Sequence, residues 1–208
     1  LNTVRIFVPF DQFGGPDLGK DSEQSSTSAQ PSSKQNEIVQ KPMEKLADLL
    51  ERASRHNLHI IITLFDFHTD YTLLHWPDAD RQLETLLTRF KNDASILAWD
   101  LKNEPDLDYH ASGTYRVNAW LTHIVYFARR YDPHHLLTIG WSSPDAAHTR
   151  IPIVDFVSFH YYASPVSLAN AYSSLRATFP EEPIVLGEFG LPTWNSFFFP
   201  NGHTEGEK

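Results

Sequence analysis

Near-continuous apolar strands alternating with amphipathic helices, and polar residues gathered at the carboxyl ends of several strands, predict an α/β fold. The fold is a (β/α)8 TIM barrel in incomplete form, with six strands countable. An open doubly wound sheet is the other way to arrange such elements, but no Gly-rich phosphate loop follows any strand. In a barrel, strand-end residues converge on one face. Arg5, Asp66, His68, Asn103, Glu104, Trp141, His160, Tyr162 and Glu188 all stand at or near such ends.

TVRIFVPF opens the chain as a buried strand with one charge, Arg5. Residues 11–41 then turn to Ser, Gln, Asp and Lys, and read as a long polar loop or partly disordered insertion. Pro42 suits a helix start, and Met43, Leu46, Leu49, Leu50 and Ala53 follow at helical spacing. HIIITLFDFH is β-branched and ends on Asp66 and His68. After the turn at Pro77 and Asp78, Leu83, Leu86, Leu87 and Phe90 mark a second helix. ILAWDL, from Ile96 to Leu101, is the next strand, and Val117, Trp120, Leu121, Ile124, Val125 and Ala128 make a further helix. HLLTIGW and VDFVSFHYY are strands joined by a short connection. Leu168, Ala171, Tyr172 and Leu175 mark a helix, and PIVLGEFG is the last strand.

The whole chain, 1–208, reads as a single partial barrel domain. A formal net charge of −9 argues against a nucleic-acid partner, because phosphate binding needs a basic footprint. No apolar run approaches a membrane span. The absence of cysteine removes thiolate metal sites and cysteine nucleophiles. Among the eleven histidines no HExxH or HxxxH pair stands on a helix, so neither metal nor cofactor is expected. Localisation stays open, with secretion compatible.

Two apolar strands end in an acid. ILAWDLKNEPD turns acidic at Glu104, and LGEFG holds Glu188 between glycines that let a substrate approach the backbone. Across a barrel mouth two such carboxylates can face each other, as glycoside hydrolysis requires. Asn103 offers an amide to a sugar hydroxyl, and Pro105 is expected to push Glu104 toward extended backbone. Trp141 and Trp194 follow strand ends, where sugar rings could stack on them; Trp99 and Trp120 read as core.

WDLKNEP, FHYY and LGEFG, in that order, resemble clan A of the retaining glycoside hydrolases, most closely family 5, the cellulase and mannanase family. The resemblance implies that Glu188 is the nucleophile and Glu104 the acid/base. It implies that Asn103 binds the sugar 2-hydroxyl, that Arg5 and Tyr162 hold the nucleophile, and that His68 and His160 are supporting residues. A β-linked oligo- or polysaccharide is the implied partner, and a monomer is expected of the full-length form. A non-catalytic carbohydrate-binding barrel is the alternative. The family barrel has eight strands, so the first and eighth are expected to lie outside this chain.

Overall fold

The computed structural model describes residues 2–8, 33–67 and 69–190. Six strands form one sheet, all parallel and in chain order: β1 (Thr3–Phe7), β2 (His59–Thr63), β3 (Ile96–Asn103), β4 (Leu136–Trp141), β5 (Val157–Tyr161) and β6 (Ile184–Phe189). Strictly sequential parallel order is the barrel arrangement, and here it forms a curled half-barrel. Among the described residues β1 and β6 are each paired on one side only.

Helices cover the outside: α1 (Ser33–Arg55), α2 (Trp76–Phe90), the single turn α3 (Tyr109–Ser112), α4 (Thr114–Tyr131) and α5 (Leu168–Thr178). The helix expected to begin at Pro42 begins at Ser33 instead, so residues 33–41 belong to α1 and not to the polar loop. Lys34, Gln35, Glu37, Gln40 and Lys41 are good helix formers, and their summed propensity carries the helix through one interior proline. Residues 9–32, the rest of that expected loop, lie outside the described residues.

Two layers result from the alternation along the strands. Outward-facing Ile62, Trp99, Leu101, Leu137, Ile139 and Phe159 join Leu83, Leu86, Leu87, Leu121 and Ile124 of the helices in the core. Trp99 and Trp120 are fully buried there, as expected. The inner layer is polar and holds the site.

The amino end of the barrel is fastened by Asp132, at the exit of α4. Its buried carboxylate accepts hydrogen bonds from Trp99 Nε1 (2.7 Å) and from the backbone N–H groups of His134 and His135 (both 3.0 Å). His135 Nδ1 lies 2.6 Å from the same carboxylate, and its Nε2 lies 3.0 Å from the Asp93 carbonyl. With an acceptor at each nitrogen the ring is best satisfied when protonated. The hydrogen bond to Asp132 accordingly raises the His135 pKa despite burial. Burial works against the Asp132 anion, but its donors, His135 first, hold the carboxyl down to about 2.

The sign of the pH dependence follows. A depressed carboxyl stabilises the fold above its unfolded pKa and loses that contribution as pH falls. A raised imidazole stabilises below its unfolded pKa and loses that contribution as pH rises through the folded value. The stability gap between the parent and an Asp132→Asn variant is therefore expected to be widest in mildly acidic solution. It should shrink as pH drops toward about 2, and again above the usual histidine range. Urea unfolding at several pH values reads this directly, and a gap that ignores pH would disprove it.

Candidate active site

The inner face is organised around Arg5, which β1 points into the half-barrel. Its Nε and Nη2 donate to Asp100 Oδ2 (2.9 and 2.5 Å), Nη2 also donates to Asn103 Oδ1 (2.8 Å), and Nη1 donates to Glu188. The ring of Phe7 stacks against the guanidinium, 4.7 Å from its centroid. Burial works against the Arg5 cation, yet Asp100 and then Glu188 hold its pKa above the ordinary value. The planar fork is what lets one side chain meet three acceptors on β3 and β6 at once.

Asp100 is the fixed counter-charge. It is buried and also accepts from Thr63 Oγ1 and from the Gly140 backbone N–H, both at 2.9 Å. A side chain at position 140 would crowd this arrangement and force its members to shift by a few tenths of an ångström. An added Cβ would lie 3.1 Å from Arg5 Nη2, 3.1 Å from Asp100 and 3.2 Å from His160 Nε2. A Cβ on Gly187 would meet Ser158 Oγ at 2.7 Å, so the serine side chain would have to shift to admit one.

Beyond Asp100 the β3–β4 register shifts by one residue before Asn103 pairs with Gly140. Such a bulge re-aims side chains. Asp100 and Asn103 both reach Arg5, while Lys102 reaches Asp108 instead. The Asn103 amide is held at both ends, its oxygen by Arg5 and one N–H by Asp66 Oδ1 (3.0 Å). One amide donor remains for a hydroxyl.

Glu104 follows at φ 45°, ψ 51°, a left-handed conformation rather than the extended one expected before Pro105. Three backbone hydrogen bonds outweigh the proline's preference. Asn103 N–H donates to Phe65 O (2.8 Å), Glu104 N–H to Gly140 O (2.6 Å) and Leu107 N–H to Glu104 O (3.1 Å). A non-glycine residue held this way stores roughly 1–3 kcal/mol, a cost found mostly at functional positions.

Glu188 arrives through a second register shift, between β5 and β6, that brings it opposite His160. Tyr162 OH donates to its Oε2 at 2.6 Å, while Arg5 holds Oε1. Burial pushes the Glu188 carboxyl up, but the Tyr162 hydroxyl, His160 and Arg5 together bring it below the ordinary value. The Tyr162 hydroxyl is itself pushed up, by burial and then by Glu188, and stays protonated. Fully buried His160 stands between the acids, Nδ1 2.7 Å from Glu104 Oε1 and Nε2 3.6 Å from Glu188 Oε1. One ligand-type atom from each of Glu104, His160 and Glu188 lies within 4.8 Å of the others. The trio could in principle take a cation, but Arg5 already neutralises Glu188 and makes it a poor site.

Of the nine residues expected from sequence, the structure gathers Arg5, Asn103, Glu104, His160, Tyr162 and Glu188 into this one cluster. Trp141 is not part of it. Gly140 faces the inside, so its neighbour Trp141 faces outward, buried in the core beside Ile139 and Ala147. His68 and Trp194 lie outside the described residues. Asp100, Thr63 and Gly140 are additions to the expected set. A lone carboxylate inside the apolar run ILAWDL, answering a lone arginine in TVRIFVPF, is the signal for that buried pair.

Fold and site together define a class: a parallel α/β half-barrel with a carboxylate pair at the carboxyl ends of its strands. The model of the cellulase family, glycosyl hydrolase family 5, matches residues 1–205, and the chain belongs to that family. Mannan endo-1,4-beta-mannosidase 7 of Arabidopsis thaliana is 29% identical over 135 residues, 49% of this chain and 31% of its own length. Mannan endo-1,4-beta-mannosidase 7 of Oryza sativa subsp. japonica is 28% identical over 171 residues, 61% of this chain and 44% of its own. The chain thus spans less than half the length of either relative. In fold it is similar to a hyperthermostable endo-1,4-beta-D-mannanase from Thermotoga petrophila (TM-score 0.62, 16% identity, covering 93% of this chain and 72% of that one). It is also similar to an exo-beta-1,4-mannosidase from an Opitutaceae bacterium (TM-score 0.67, 19% identity, 91% and 39% covered).

Proposed function

We propose that the protein is a retaining β-glycoside hydrolase acting on β-mannan-type glycans by double displacement. The observation that carries the reading is the asymmetry of the two acids. Glu188 is bound by Arg5 and Tyr162 and kept ionised, as a nucleophile must be. Glu104 has no arginine or lysine partner among the described residues and shares its side-chain hydrogen bond with the His160 ring. One oxygen of each acid lies within 4.8 Å of the other, a closeness that supports retention over inversion, for which the carboxyl groups stand about 6.5–9.5 Å apart.

In the first step Glu188 attacks the anomeric carbon while Glu104 gives its proton to the departing glycosidic oxygen. In the second, Glu104 takes a proton from water, which displaces Glu188 and restores both groups. The remaining Asn103 N–H is placed for a hydroxyl beside the anomeric carbon. The mannan class is supported by the names of the relatives.

Proton NMR of mannohexaose hydrolysis tests this. The new reducing end is expected as the β-anomer first, followed by mutarotation. Early α-anomer would replace double displacement by inversion, and cleavage of cellohexaose alone would move the substrate to glucan.

A further inference from the structure

Lys102 is the least expected residue near the site. It is almost fully buried, where leucine or methionine would serve packing alone. An ammonium ion there costs several kcal/mol of lost hydration unless its partners are well placed. Burial does push the Lys102 pKa below its ordinary value, with Asp108 opposing.

The partners lie on either side of Glu104. Lys102 Nζ donates to the Asn103 carbonyl at 2.6 Å, which is the peptide leading into Glu104. It also lies 3.3 Å from Asp108 Oδ2, at the far end of the Pro105–Asp108 turn that leads out. Tyr71 OH donates to the same Asp108 oxygen, and Tyr71 is itself buried edge-on against Trp120, ring centroids 5.2 Å apart. The left-handed Glu104 is therefore stapled before and after by one cation anchored in the core.

From this geometry we infer that Lys102, with Asp108 and Tyr71, is a positioning device that holds the strained Glu104 backbone in the conformation its acid/base work requires. The inference rests on the reading of Glu104 as the acid/base. Without the staple the Asn103–Glu104 peptide relaxes, and the Glu104 carboxyl leaves the leaving-group oxygen while Glu188, held separately by Arg5 and Tyr162, stays in place.

The test compares Lys102→Met with the parent enzyme on mannohexaose and on 2,4-dinitrophenyl β-mannobioside, with and without sodium azide. Dinitrophenolate leaves without a proton, so bond cleavage survives a misplaced acid. Azide is already an anion; it forms a bond to the anomeric carbon while the Glu188 ester bond breaks, and it needs no base. The expected result is a loss of about 100-fold in kcat on mannohexaose. Turnover of the aryl glycoside should be restored by azide, with β-mannobiosyl azide as product. Asp108→Asn, which weakens the staple without burying a new void, should move the same readouts less and serves if Lys102→Met does not fold.

A folded variant that loses both substrates equally and ignores azide would overturn the staple, as would one with parental kinetics. If Glu188→Gln also keeps turning over, the reading of the site fails first and takes the staple with it. An inert Glu188→Gln beside an azide-insensitive Lys102→Met removes the staple alone.

Discussion

Glu188→Gln is expected to lower turnover by at least about 10⁴-fold while leaving the fold intact, the scale on which loss of a covalent nucleophile registers. The amide keeps the size of the side chain, and its oxygen can still face Arg5 while its N–H₂ turns to Tyr162. What disappears is the anion that the proposed double displacement uses to attack. Near-UV circular dichroism should be unchanged. The companion observation is an intact mass spectrum after treatment with a 2-deoxy-2-fluoro aryl β-mannoside. The parent should gain one glycosyl unit on the peptide carrying Glu188, and the variant none. Undiminished turnover by Glu188→Gln would remove the catalytic assignment altogether, because no other carboxylate of the cluster has both Arg5 and Tyr162 to keep it ionised and aimed.

The second large effect is expected at Arg5, and it combines stability with activity. Asp100 is 1% exposed and relies on Arg5 for its only opposite charge in direct contact among the described residues. Removing one partner of a buried pair strands the other, at about 3–5 kcal/mol. For a chain of this size Arg5→Met should therefore unfold about 10 °C below the parent. Activity should fall further than stability, since Glu188 and Asn103 both lose a donor. Arg5→Lys should not rescue it, because one ammonium cannot meet Asp100, Asn103 and Glu188 together. Differential scanning calorimetry at neutral pH decides the matter. Unfolding within a degree or two of the parent would mean that water reaches Asp100 and carries its charge instead.

Much of this arrangement was legible in the sequence for simple reasons. The six strands are short apolar runs rich in Val and Ile, and parallel strands covered on their outer face must look that way. Glu104 and Glu188 stood out because each ends such a run. Features that depend on tertiary context were not legible. The register shifts after Asp100 and before His160 come from ladder pairing that no local pattern encodes, and they decide that Asn103 and Glu188 face inward. The left-handed Glu104 contradicts the local influence of Pro105 because hydrogen bonds to Phe65 and Gly140, on neighbouring stretches of chain, overrule it. The start of α1 was obscured by Pro42, a residue that usually opens a helix and here sits inside one. Trp141 is the instructive error. Gly140 faces Arg5 and Asp100, and alternation along β4 sends its immediate neighbour outward.

Arg5 lies on the first strand and Glu188 on the last, and four strands separate them in the sheet. That contact spans 183 positions of sequence, the longest-range hydrogen bond between described side chains. Closing so large a loop is entropically uphill until the intervening strands are in place. Secondary structure can therefore form well before Glu188 finds its cation. The pair also acts as a gauge of curvature: a sheet that flattened by a few degrees per strand would keep every ladder hydrogen bond and still pull the arginine off the glutamate.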